Sequence, residues 1–101
     1  MSVEDFGNCF VNTVGGSEDE VIALVNKMGV DSVKKLTAYY SSLPDAAKYV
    51  LGVISGYSLK RLGAWIATVI GLDAAEVLIL FLGGFSWGLL IGGFVSCVSL
   101  L

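Results

Sequence analysis

Apolar positions recur at helical spacing through the first half of the chain and then merge into one unbroken run. Ser17 with Glu20 three residues later forms a capping box, and Val21, Leu24, Val25 and Met28 follow at i, i+3, i+4, i+7. Gly29 stands where such a helix stops. Asp31 or Ser32 can cap a second helix, with Val33, Leu36, Tyr40 and Leu43 on one face and Lys34 and Lys35 off it, as far as Pro44. Each helix runs for about eleven residues, which is marginal for an isolated helix in water, so both must pack on something. No stretch alternates apolar and polar residues as a half-buried strand would, and the pattern predicts an all-α chain.

From Asp45 the pattern changes. Residues 45–72 read either as one long helix or as two, with Ser58 able to cap the second half. Gly71 can end that segment, and Asp73 with Glu76 makes a further capping box, so GLDAAE at 71–76 reads as the turn and cap of a helical hairpin. Residues 77–101, VLILFLGGFSWGLLIGGFVSCVSLL, then carry no charge. An uncharged apolar run longer than about 18 residues is a candidate membrane span. The organisation expected is an N-terminal arm at 1–16, two short amphipathic helices at 17–43, and a glycine-rich hydrophobic helical hairpin at 44–101, membrane-spanning or membrane-competent.

Glycine sharpens this picture. Within a helix in water each glycine costs about 1 kcal/mol relative to alanine, yet Gly84, Gly88 and Gly92, followed by Ser96, recur every fourth position in the uncharged run. Gly52 with Gly56, and Gly63 with Ala67 and Gly71, repeat the spacing in the first arm. In lipid, where apolar surface gains nothing by leaving solvent, small residues four apart let helix backbones approach closely. These positions are therefore expected to be helix-contact surfaces, within the hairpin or between copies. The alternative places turns at Gly83-Gly84 and Gly92-Gly93 and folds the run into short buried helices.

Composition and charge narrow the function classes. Of the 101 residues, 55% are hydrophobic and 15% charged, with a net charge of −3. That balance gives no basic footprint for nucleic acid. Acids dominate residues 1–20, and all the bases lie between Lys27 and Arg61. Lys60, Arg61 and Trp65 are expected at a membrane interface, where long cationic side chains snorkel and tryptophan is favoured. The chain holds no histidine, so it lacks the usual neutral-pH base and metal-binding imidazole. Neither cysteine has a companion at metal spacing. No enzymatic activity, cofactor, metal or small-molecule substrate is expected. Cys9 and Cys97 are too few for a disulfide framework; one bridge stays open, with two free thiols the expected state.

VNTVGG at 11–16, with Phe10 before it, resembles the end of a double-glycine leader of the kind carried by exported bacteriocins and small pore-forming microcins. Thr13 departs from that pattern, since its place is usually apolar, and the acidic balance departs from the mostly cationic members of the class. The resemblance implies removal of the arm and a membrane target. The reading that follows is a non-enzymatic membrane-inserting protein, integral or secreted, that meets the lipid bilayer and self-associates through its glycines as a pore-forming or permeabilising agent. Two alternatives stand beside it: a structural membrane subunit, such as a virion coat component or an accessory subunit, and a helical-bundle adaptor.

Overall fold

The capping signals decide where the helices begin and end. In a computed structural model describing residues 1–101, the Ser17 hydroxyl accepts from the Glu20 N–H at 3.5 Å and opens a helix over Glu18–Met28. Ser58 accepts from the Arg61 N–H at 3.2 Å and opens another over Leu59–Ile70. Ser86 does the same for Trp87–Cys97, accepting from Leu89 at 3.3 Å. Seven helices result: α1 (Val3–Val14), α2 (Glu18–Met28), α3 (Val30–Ser42), α4 (Asp45–Tyr57), α5 (Leu59–Ile70), α6 (Leu72–Leu82) and α7 (Trp87–Cys97), closed by a single 3-10 turn at Val98–Leu100. There is no strand.

Three joints are single residues: Ser58 between α4 and α5, and two glycines. Gly29 ends α2 and begins α3, and Gly71 ends α5 and begins α6, with φ of +89° and +91° respectively. Each donates its N–H back to the helix it closes, to Val25 and Ala67. A side chain at that φ is strained, so glycine lets the direction change within one residue.

Several boundaries differ from those read in the sequence. Within the N-terminal arm, residues 3–14 form a helix, α1, whose Phe6 and Phe10 are fully buried. Ser2 caps it, accepting from the Asp5 N–H at 3.1 Å, and the terminal ammonium of Met1 lies 2.9 Å from the Asp5 carboxylate. The ammonium, by hydrogen bond and charge, holds the Asp5 carboxyl below the usual aspartate range. Of the two readings of segment 45–72, the two-helix one holds: α4 and α5 meet at Ser58, which caps the second. Asp73 and Glu76 do not form a cap: Gly71 occupies the cap position, and Asp73 sits in the first turn of α6, where an acid complements the helix dipole. Nor does Asp31 or Ser32 cap α3, because Gly29 serves both helices.

The uncharged run is folded back on itself. It turns at Gly83 and Gly84, so that the segments Leu72–Leu82 and Trp87–Leu100 meet at 117°. No single helix is long and apolar enough to cross a membrane. The longest, at 13 residues, spans about 20 Å against a hydrocarbon thickness of about 30 Å. Gly92 and Gly93, by contrast, lie inside α7 and make no turn.

The core runs between α1, α2, α6 and α7, with α3 and α5 closing it. Phe6 and Phe10 of α1 meet Phe94 of α7 at ring-centroid distances of 5.8 and 6.2 Å, and Phe85 approaches Phe10 at 5.7 Å. The approach is possible because position 93 has no side chain: a Cβ there would stand 2.5 Å from the Phe10 ring. One turn further on, Cys97 is joined to Cys9 of α1. The two cysteines are bridged, not free, because α1 and α7 lie side by side, with a Cα–Cα distance of 5.9 Å across 88 positions of sequence. The folded chain measures 31 × 25 × 22 Å. Every buried side-chain nitrogen or oxygen has a hydrogen-bond partner; buried Thr37, for one, donates to the Val33 carbonyl at 2.7 Å.

Candidate functional surface

α4 is the element whose placement departs most from ordinary burial. Tyr49, Gly52, Val53, Gly56 and Tyr57 fall at i, i+3, i+4, i+7 and i+8, the spacing of a continuous apolar face. Such a face normally points into a core. Here all five are exposed, Tyr49 at 74%, Val53 at 48% and Tyr57 at 64%, and Val50 beside them is 52% exposed. The opposite side of the helix supplies the packing, through Leu51, the only buried residue of α4, and half-buried Ile54.

The exposed face continues across to α7. A groove of about 400 Å³ separates the two helices, lined by Lys48 and Gly52 of α4 with Tyr40 of α3 on one side and Trp87, Gly88, Gly92 and Val95 among those on the other. Ser96 also lines it. Trp87 is buried, edge-on to Tyr40 at 6.0 Å between ring centroids, and the Lys48 ammonium lies 5.4 Å over the same tyrosine ring. The groove is lined by one base and no acid. On α7, Leu89 and the groove residue Val95 are also about half exposed.

The glycines read from the sequence divide into two groups. Gly63 meets another helix, since a Cβ there would lie 2.9 Å from Ile79 Cγ1 on α6, and half-buried Ala67 packs against the core. Gly52, Gly56, Gly71, Gly84 and Gly92 have nothing within 4 Å of a Cβ position, and at Gly88 only the Ser86 hydroxyl lies near, at 3.8 Å. The 84/88/92/96 spacing does not form one stripe, because Gly84 belongs to the turn before α7. What remains is a pair of facing small-residue surfaces across the groove, Gly52 on one wall and Gly88, Gly92 and Ser96 on the other.

Lys60 and Arg61 are exposed at the start of α5, while Trp65 is half-buried against Tyr39, 5.4 Å between centroids. Lys60 and Glu76 line a second, apolar groove of about 520 Å³ between α5 and α6, floored by Gly63, Ala75 and Ile79. No three His, Cys, Asp or Glu side chains come together at metal-holding distance.

Sequence reasoning missed two features of this surface. The outward face of α4 is present in the sequence as a regular stripe, but periodicity gives the existence of an apolar face and not its direction. Gly93 lies one position outside the repeating spacing, and only the meeting with Phe10 distinguishes it. A scan against protein-family models finds no match, and no curated protein or solved structure has significant similarity to the chain.

Proposed function

We propose that this chain is a non-enzymatic, membrane-active protein that binds anionic bilayers through α4 and the α4–α7 groove. It then opens residues 77–101, the uncharged part of its α6–α7 arm, into the hydrocarbon and assembles with further copies through its open glycine faces. The observation that carries the reading is the outward apolar stripe of α4, Tyr49, Val53 and Tyr57 with Gly52 and Gly56 between them. A contiguous exposed apolar face marks a surface that something covers. A bilayer suits it because the adjoining groove offers Lys48 and no carboxylate, and because the chain continues into 25 uncharged residues, 77–101, behind that surface. Straightening the 117° bend between α6 and α7 gives a segment long enough to enter the hydrocarbon, which neither helix is alone.

A second reading is favoured by the packed state of α7, whose Trp87, Leu90, Ile91 and Phe94 are buried. On that reading the bundle never opens, and the α4 face docks a protein as an adaptor would.

The deciding experiment is dye release from anionic phospholipid vesicles by the wild-type chain and by Val53→Glu. The valine is outward, so the substitution is expected to change folding stability by less than about 0.5 kcal/mol. Vesicle binding and release are expected to fall together, because a charge on the contact face must be desolvated. Binding and release by wild type that the glutamate leaves untouched would remove α4 from the mechanism. A wild-type chain that ignores vesicles would leave the adaptor reading.

A further inference from the structure

We infer that the Cys9–Cys97 bridge is a redox-operated lock on the opening of α7, released by a dithiol reductant; the inference rests on the insertion reading above and names its regulation. The bridge joins the first helix to the last residue of α7, so that every element from α2 to α7 lies inside the covalent loop it closes. Opening α7 means taking Phe94 away from Phe6 and lifting the Phe10 ring off Gly93. With the bridge intact, α7 cannot make that movement without α1. That helix is a poor companion in lipid: it carries Glu4 and Asp5 in its first turn, with Asn8 and Asn12 exposed along its length. Each acid brought towards the bilayer centre costs roughly 3 kcal/mol or more. A single covalent bond therefore couples the most apolar helix to one that resists the hydrocarbon.

The bridge is reachable from one side only. Cys97 is fully buried, whereas Cys9 of α1 is half-buried. A thiolate of the reductant attacks Cys9 Sγ, the S–S bond breaks, and its electron pair leaves on Cys97 Sγ, which takes a proton from water. The Thr13 hydroxyl, 3.8 Å from Cys97 Sγ and now donating to the Cys9 carbonyl at 2.8 Å, is placed to turn towards that leaving sulfur. The second thiolate of the reductant then attacks its own sulfur in the mixed disulfide and frees Cys9, which is protonated in turn. Two electrons pass from the dithiol to the bridge, the dithiol ends as a disulfide, and the protein carries two thiols.

The test compares oxidised wild type, dithiothreitol-reduced wild type and the Cys9→Ser/Cys97→Ser chain. Dye release from anionic vesicles and amide hydrogen exchange without lipid are the two readouts. The lock predicts release on the order of tenfold faster from the reduced and double-serine forms, with α7 amides losing protection while those of α2 and α5 keep theirs. Equal release from oxidised and reduced protein overturns the lock and leaves the insertion reading standing. Release by none of the forms overturns the insertion reading itself. Loss of protection throughout the chain on reduction also overturns the lock, since the bridge would then be a general staple.

Discussion

Gly92 and Gly93 are neighbours on α7 with opposite surroundings. A Cβ at 92 meets nothing within 4 Å, whereas one at 93 runs into the Phe10 ring at 2.5 Å, and that ring is fully buried and has nowhere to retreat. Gly92→Ala is therefore expected to stabilise the protein by about 0.5–1 kcal/mol through helix propensity alone. Gly93→Ala is expected to destabilise it by about 1–3 kcal/mol through overpacking of the α1–α7 contact. Urea unfolding of the two variants beside wild type reads the pair, and shifts of the same sign would mean that α1 does not seat on α7 as described. The sequence carries both glycines in the same apolar run, and nothing in their local neighbourhood separates them. Their difference is created by a phenylalanine more than eighty positions away, which spacing along one helix does not reveal.

At the scale of the element, most of what the sequence offered was where helices start and stop. Ser17, Ser58, Gly29, Gly71 and Pro44 are local signals, because a cap is formed by residues within one turn of each other. The first helix went unread although Ser2 and Asp5 begin it and Phe6 and Phe10 are one turn apart; Gly7 alone interrupts its buried face, and Asn8, Asn12 and Thr13 lie exposed away from it. Asp73 with Glu76 had the opposite fault: the spacing of a capping box is there, but the α5–α6 joint is so short that Gly71 occupies the cap position first. The glycines of α7 bear on the proposed function at this scale. Gly88 faces the α4–α7 groove with only the Ser86 hydroxyl near it. Gly88→Leu is expected to leave folding stability within about 0.5 kcal/mol of wild type or slightly raised, while blocking the close helix approach that the proposed assembly in lipid needs. Crosslinking in vesicles reads the outcome, and an unchanged ladder of oligomers would exclude this face from the contact.

For the whole molecule, the sequence told the class of structure and not its closure. An all-α chain follows from periodicity, and the folded protein is all-α. That residues 77–101 bend through 117°, bury Trp87, and leave α4 as the outward apolar element depends on how seven short helices divide a limited interior. No helix here exceeds 13 residues, so none is stable alone and each takes its place from its neighbours. The pairing of Cys9 with Cys97 belongs to the same level: two cysteines allow a bridge, and only the meeting of α1 with α7 makes one.

That pairing also determines how the chain answers a protease. A cut at any joint between α1 and α7 leaves two pieces of backbone that are still one molecule, because the bridge spans all of those joints. Nicking near exposed Gly71, between α5 and α6, should therefore give a single band on a non-reducing gel and two bands once thiol is added. Two bands without thiol would show that the bridge had not formed in the protein that was cut. In a nicked but bridged chain the only covalent tie from α6 and α7 to the rest would run through α1, so that the last thirty residues would keep their place by packing and by a tether at their far end.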